Sequence, residues 1–437
     1  MTCKPTYNEM KHYLLGLAML SVCFSSQAQS TRSIFKADRR VSAANYLAYP
    51  GPQKQPFTPA PKGYVPFYLS HYGRHGSRWL IGERDYQRPV VWLMQADSLG
   101  KLTPKGKEVL QKLRIIRDAA AGRDGELTLL GAQQHQQIAA RMMKNFPEIF
   151  AGKTHIDAKS TTIIRCILSM ENALQQLVRR NPQLVISHDA SNHDMYYMNH
   201  DDTTLFKKRF TATAKQAYLD FKKQHEQPAR VMNELFNDTQ YWKNHVDTLA
   251  LYETLFRQAG NLQSTELRHT MSLYDLFTDD ELYNLWQVQN AYWYIAYGPS
   301  PLNGGHQPSS QRFLLRKIIA EADSCIRFQH PGATLRYGHD TMVMPLSCLM
   351  NLDNLGMRVD NLGELDERGW QDYRIFPMAC NIQLVFYRHP TKKDILVKIL
   401  RNEHEARLPI DSTTAPYYKW SDVKAYFLAR IHELEAN

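Results

Sequence analysis

The stretch "SHYGRHGSRWL", residues 70–80, places two histidines and two arginines directly after the apolar run "VPFYL" of residues 65–69. An aromatic and apolar run such as "VPFYLSHY" predicts a buried β-strand. Charge that follows a buried strand at once lies where open α/β sheets bind ligands, in the crevice beyond the carboxyl ends of the strands. Gly76 would let the backbone turn closely into the next helix, and the guanidinium groups of Arg74 and Arg78 can fork onto phosphate oxygens. A neutral imidazole among such cations, that of His75, is a usable nucleophile, because neighbouring positive charge opposes its protonation. Together these residues describe a phosphate-binding site with a nucleophile in it.

Working outward, strand-like and helix-like segments alternate. "LTPKGKEVLQKLRIIRDAAAG" (102–122) predicts a helix with Thr103 as N-cap, Pro104 at its first position and Gly122 as its stop. "LTLLGAQQHQQIAARMMKNF" (127–146) repeats the device with Thr128, and "STTIIRCILSMENALQQLVRRNP" (160–182) enters a further helix. "QLVIS" (183–187) reads as a strand. Residues 188–329 change character to long, polar, aromatic-spotted helical stretches such as "DDELYNLWQVQNAYWYIAY" (279–297), and "GPSPLNGGHQPSS" (298–310) predicts a mobile loop. Alternation resumes at "GATLRYGHD" (332–340), followed by a helix, a hairpin over 380–402 and a last helix over 421–435. The pattern predicts an α/β fold with a mostly parallel sheet flanked by helices. Its core would comprise 61–187 and 330–437, with an inserted, mainly helical domain over 188–329 and a Pro-rich lead-in over 29–60.

Composition excludes the non-globular classes. A chain of 437 residues with 43% hydrophobic and 22% charged residues has ample material for a large core and is neither disordered nor fibrous. Residues 1–28 carry Lys4 and Lys11 before the apolar run "YLLGLAMLSVCF" and the small-residue pattern "SSQA", which predicts a cleaved signal peptide and an exported, periplasmic or secreted protein. Twelve apolar residues fall short of the roughly 18 to 20 that span a bilayer, so stable membrane insertion is not expected. Without residues 1–28, Lys plus Arg falls from 53 to 51 and Asp plus Glu from 43 to 42, leaving +9. The excess favours polyanionic small ligands, whereas the absence of a dense Lys/Arg block argues against nucleic acid. Cys166, Cys325, Cys348 and Cys380 are too widely spaced for a disulfide scaffold or a zinc signature, and their pairing stays open.

"RHGSR" after a strand resembles the signature of the histidine phosphatase superfamily, in particular its branch of histidine acid phosphatases, phytases and multiple inositol polyphosphate phosphatases. The family pattern R-H-G-x-R-x-P is matched through Arg78, with Leu80 in place of the proline. "STTIIRCILS" (160–169) fits the family's S-T-x-x-x-R-x-x-x-S with Arg165. The family's distal H-D or H-A-E could fall on His188-Asp189, His193-Asp194, His200-Asp201 or His339-Asp340. Only the last follows a strand-like run through a glycine and opens a helix. The resemblance therefore implies His75 as nucleophile, Arg74, Arg78, Arg165 and His339 as phosphate ligands, and Asp340 as general acid, without cofactor or metal. It implies a phosphomonoesterase acting through phosphohistidine. "YLAYPGP" and "HYGRHGSR" resemble the inositol polyphosphate phosphatases more closely, whereas H-D is the form of acid phosphatases and phytases. The substrate expected is an inositol polyphosphate such as phytate, with small phosphate esters as the alternative.

Two other classes compete. "SHDASNHDMYYMNHDD" (187–202) gathers three histidines and four aspartates that could hold a metal, although at no recognisable ligand spacing. A non-catalytic phospho-ligand-binding protein could share the fold. Other phosphatase and hydrolase chemistries lack their motifs, since no Cys-x5-Arg, P-loop or G-x-S-x-G is present.

Overall fold

The protein is described from a computed structural model that covers residues 31–437 apart from 53–55, 201, 329–331 and 436–437. The expected signal segment, with Cys3 and Cys23, lies outside the described residues. One sheet organises the rest: β1 (Val65–Arg74), β2 (His155–Ser160), β3 (Val185–Asp189), β4 (Gly332–Gly338), β5 (Asn381–Arg388), β6 (Leu396–Arg401), β7 (His404–Ala406) and β8 (Tyr417–Lys419). Their order is β3-β2-β4-β1-β5-β6-β7, with β8 also on β6.

The sheet is mixed rather than mostly parallel. β3, β2, β4 and β1 run parallel, and the expected hairpin, β5 and β6, continues the sheet antiparallel from β1. β2, "HIDAKS", has no counterpart in the sequence reading, because its buried positions are Ile156 and the small Ala158 and Ser160. Register brings three carboxyl ends to one edge: Arg74 lies opposite Gly338, and Ser160 opposite Tyr337. The chain leaves that edge at Arg74, Ser160 and Gly338 into the segments the sequence singles out.

β1 is buried from Phe67 to Arg74, and all seven residues of β4 are buried, so both strands are covered on both faces. Successive residues of β1 serve different layers, Tyr68 packing in a cluster with Val343, Leu384 and Phe427, and Leu69 with Ile138, Leu174 and Leu335. Burying each such side chain stabilises the fold by about 1.5–3 kcal/mol. A third cluster joins helices Glu83–Ser98 and Pro104–Ala120 to helices between 229 and 285, through Leu93, Leu110, Leu235, Leu255 and Leu282. Helix Arg312–Phe328 carries Leu315 and Ile318 onto the sheet layer of Tyr68. The helical region therefore shares its apolar clusters with the flanking core. The segment 298–310 is not an exposed loop: Ser300, Asn303, Gln307 and Ser309 are buried, and Asn303 donates to the carbonyls of Arg209 and Ile295.

Helix starts follow their caps. The Thr103 hydroxyl accepts from the Gly106 amide at 2.9 Å and that of Thr128 from Gly131 at 3.3 Å, each satisfying an amide that the first turn leaves free. Helix Asp279–Tyr297 opens with a reciprocal Thr278–Glu281 capping box.

Gly76 serves a contact different from the one expected. The next helix begins only at Glu83, and a Cβ on Gly76 would lie 2.4 Å from the carbonyl oxygen of Gly131, on the helix Leu129–Asn145 behind the loop. A Cβ on Gly131 would in turn lie 2.2 Å from the Ser77 carbonyl oxygen. The two glycines let loop and helix touch backbone to backbone. Gly131→Ala, in a helix where alanine is otherwise favoured, is therefore expected to lower stability by about 1–3 kcal/mol in denaturant melts.

Two further histidines are buried in the core against Tyr337, His71 at 5.2 Å and His135 at 5.4 Å between ring centroids. Burial pushes both down to about 3, with His135 and Arg336 adding to the effect on His71. The unfolded chain takes up these protons below about pH 6.5 and the folded one does not. Stability is thus fully present above pH 6.5 and falls as pH drops toward 3, by about 1.4 kcal/mol per unit for each group. Melting temperatures between pH 7 and pH 4.5 will show this slope, and His135→Gln will flatten it.

Candidate active site

The three chain exits at the sheet edge bring His75, Arg74, Arg78, Arg165, His339 and Asp340 to one place. Arg74 ends β1 and is fully buried. Its Nη1 donates to the carbonyls of Asn45 at 2.5 Å and Phe376 at 3.0 Å, while Nη2 lies 2.7 Å from Asp340 Oδ2 as an ion pair. Arg78 donates from Nη1 to the Trp79 carbonyl at 2.8 Å and lies over the Tyr46 ring. Arg165 stands in the first turn of helix Ile164–Arg180. The Nε groups of Arg74, Arg78 and Arg165 are buried and have no hydrogen-bond partner within the protein. Donors in that condition favour an oxyanion.

His75 is 2% exposed, and its Nδ1 lies 2.9 Å from the Gly76 carbonyl oxygen. That contact assigns the proton to Nδ1, which leaves the Nε2 lone pair free. The loop is held from behind, with the Gly76 amide donating to Ser169 Oγ at 3.1 Å and the Ser77 amide to Gln134 Oε1 at 2.8 Å. His339 faces His75 at 5.8 Å between centroids, and its Nε2 is 3.2 Å from Thr161 Oγ1. Asp340 opens helix Asp340–Leu349; its Oδ1 accepts from the Thr341 amide at 2.9 Å and its Oδ2 from Asn45 Nδ2 at 3.1 Å.

Charge sets the protonation states. Burial, then Arg74, Arg78 and Arg165, hold His75 well below the usual histidine value, and burial with Arg165 brings His339 to about 4. Burial works to raise the Asp340 carboxyl, but Arg74, Arg78 and His339 outweigh it and its pKa lies below the ordinary value. Burial and Arg78 lower Arg165 without neutralising it. Three guanidinium charges against one carboxylate and two neutral imidazoles leave +2, the complement of a phosphoryl dianion.

Sequence reasoning passed over Asn45, Thr161 and the Phe376 carbonyl, all of which touch the six. Thr161 lay inside the quoted "STTIIRCILS" motif, and "YLAYPGP" begins at the residue after Asn45 without including it, while nothing near Phe376 marks it. The histidine- and aspartate-rich segment disperses: His188 pairs with Glu171, Asp194 with Lys159 and Asp202 with Arg312. Among the described residues no group of three or more His, Cys, Asp or Glu side chains could hold a metal. Cys166, Cys325, Cys348 and Cys380 are free thiols, and Cys166 lies 3.8 Å from His339 Nε2. No helix among the described residues is long and apolar enough to cross a membrane.

Comparisons with known proteins bear on the fold and the family. No curated protein matches the chain. Among solved structures, the fold is similar to that of the Bifidobacterium longum multiple inositol polyphosphate phosphatase in complex with inositol hexasulfate, at TM-score 0.75 and 18% identity over 88% of this chain and 97% of that one. The phytase from D. castellii matches at TM-score 0.60 and 13% identity over 91% of this chain and 87% of its own. The apo form of Hafnia alvei phytase matches at TM-score 0.52 and 13% identity over 86% of this chain and 99% of its own. A family model matches residues 74–402, from the first arginine of the loop to the end of the sheet hairpin, and by it the chain belongs to the histidine phosphatase superfamily, branch 2.

Proposed function

We propose that this protein is an exported phosphomonoesterase that hydrolyses inositol polyphosphates such as phytate through a phosphohistidine intermediate. One observation carries the reading: an unprotonated His75 Nε2 stands among three arginines and faces His339, whose neighbour Asp340 pairs with Arg74 and opens a helix. In this reading His75 Nε2 attacks phosphorus in line, the phosphorus–ester oxygen bond breaks, and Asp340 gives its proton to the leaving oxygen. Water then attacks the phosphohistidine, Asp340 takes a proton from it, and inorganic phosphate departs with His75 restored. Arg74, Arg78, Arg165 and His339 bind the equatorial oxygens, and these fixed charges stabilise the transferring group without reorganising. The substrate assignment draws support from the +2 balance of the site, the basic chain and the fold shared with an inositol polyphosphate phosphatase. Small phosphate esters remain the alternative that the H-D form favours. The export assignment draws on residues 1–28 alone, and the boundaries 188 and 329 are proposed as those of the insertion that contributes to specificity.

The free site holds Asp340 ionised through Arg74, so the acid must gain its proton with the substrate. A phosphoryl dianion that draws on Arg74 relieves that pairing and raises the carboxyl. Turnover should therefore fall on the alkaline side as Asp340 deprotonates in the complex, while His75 stays unprotonated through the mildly acidic range. An acidic optimum is expected from kcat against pH, and Asp340→Asn should lower kcat on alkyl phosphates about 10²- to 10⁴-fold and erase the alkaline limb.

Phosphate release from phytate and from p-nitrophenyl phosphate, with chelator present, is expected from the wild type and should drop about 10³-fold or more in His75→Ala. Release from the small ester alone would replace phytate as substrate. No release from either would leave a phospho-ligand-binding protein.

A further inference from the structure

The lead-in, which belongs to neither the sheet nor the helices around it, enters the site at Asn45. We propose that Asn45 is a positioning residue for the proton donor: its side chain holds the Asp340 carboxyl while its carbonyl holds Arg74. The inference rests on the reading of Asp340 as general acid.

Three contacts close a ring. Asn45 Nδ2 donates to Asp340 Oδ2 at 3.1 Å, the Asn45 carbonyl accepts from Arg74 Nη1 at 2.5 Å, and Arg74 Nη2 stands 2.7 Å from the same Asp340 Oδ2. Asn45 is 4% exposed, so water competes little for these bonds. When a phosphoryl group draws on Arg74, the Asn45 amide remains as the side-chain donor that fixes the carboxyl, beside the Thr341 amide on Oδ1.

The backbone before Asn45 carries an independent mark. Ala44 adopts φ 55°, ψ −130° within the turn Arg39–Tyr46, a conformation that costs any residue with a Cβ. It persists because the segment is clamped on both sides. Upstream, Thr31 Oγ1 donates to buried Asp366 and Phe35 packs edge-on against Trp286 at 5.2 Å. Beside the turn, Ala43 fits against Gly260, where a Cβ would come within 3.0 Å. Downstream, the Leu47 carbonyl accepts from Met378, and the Ala48 amide donates to Gln263. A strained residue held so firmly, next to one that touches both a phosphate-binding arginine and the acid, fits a segment shaped to place Asn45.

The charged groups facing Asp340 are Arg74 and Arg78 from the loop and Arg165 from its helix, with the adjacent, neutral His339 beside them. Tyr297 and the thiols of Cys166 and Cys380 are the other titratable neighbours, and burial keeps them protonated. None of them donates a hydrogen bond to Oδ2 as Asn45 does.

Asn45→Ala and the isosteric Asn45→Asp test the assignment on two substrates, a p-nitrophenyl ester whose leaving group needs little protonation and an alkyl ester such as glycerol phosphate. Loss of a positioned acid is expected to lower kcat on the alkyl ester about 10- to 100-fold and on the aryl ester less than about 3-fold, since general acid catalysis supplies about 10²–10⁴. Loss of a donor to the carboxylate, or in Asn45→Asp a second carboxylate beside it, should also move the alkaline limb of kcat to higher pH. Equal losses on both esters with the limb unmoved would overturn the proposal, as would wild-type behaviour of Asn45→Asp. Should Asn45→Ala melt at lower temperature than the wild type, the isosteric variant decides. His75→Ala and Asp340→Asn, assayed alongside, separate the two levels: if they leave turnover intact the phosphohistidine reading itself fails, whereas their loss with an unselective Asn45 defeat removes only the positioning role.

Discussion

Three guanidinium groups held around one buried imidazole repel one another, and much of this fold is arranged to keep them there. Arg74 closes a strand that is buried on both faces, Arg78 is tethered to the carbonyl of its own neighbour, and Arg165 is presented by the first turn of a helix that the parallel strand β2 feeds. Asp340 offsets one charge only. Burial first, and the remaining positive excess after it, hold His75 and His339 neutral, so the same charges that repel one another also keep the two imidazoles unprotonated. A surface cluster of the same residues would be screened by water and would leave the imidazoles near their ordinary values.

Position at the carboxyl ends of parallel strands does the second part of the work. β1, β2 and β4 end side by side, so residues far apart in the chain, Arg74, Thr161 and His339, emerge within reach of one another. The glycine pair 76 and 131 lets the loop lie directly on a helix backbone, and the Ser169 hydroxyl and Gln134 amide then fix it from behind. Positioning from several independent elements keeps these donors fixed, and fixed donors can stabilise developing charge without reorganising.

Legibility in the sequence followed locality. β1 could be read from its apolar and aromatic start and β4 from its short strand-like run before a glycine, and the helix starts because Thr103 and Thr128 cap them within four residues. His339-Asp340 stood out from three other His-Asp pairs by the strand, glycine and helix around it. β2 was illegible because its inward residues are mostly small; the β5–β6 hairpin was read but its attachment to β1 was not, because β5 finds β1 some 300 positions away, where no local pattern records it. Asn45 was illegible for the same reason: its partner Asp340 is 295 residues distant, and the turn that presents it has no motif. Residues set in a local motif, on the loop of His75, at Arg165 and at His339-Asp340, were readable, and contacts made only across the chain, such as that of Asn45, were not.

The position of β1 also orders events in time. Its neighbours β4 and β5 pair Tyr68 with Gly332 and Phe386, more than 260 residues later, so the strand is made early and partnered late. Helices between 83 and 328 can form and pack from near neighbours long before then, since contacts of short separation close first. Until β4 arrives, an apolar segment from Phe67 to Tyr72 waits without a sheet, and it is the stretch of this chain most exposed to misassembly during synthesis. The six side chains of the site come together only when β4 joins β1, since His339 and Asp340 follow that strand directly, which makes the site's appearance a signal that the parallel half of the sheet has closed.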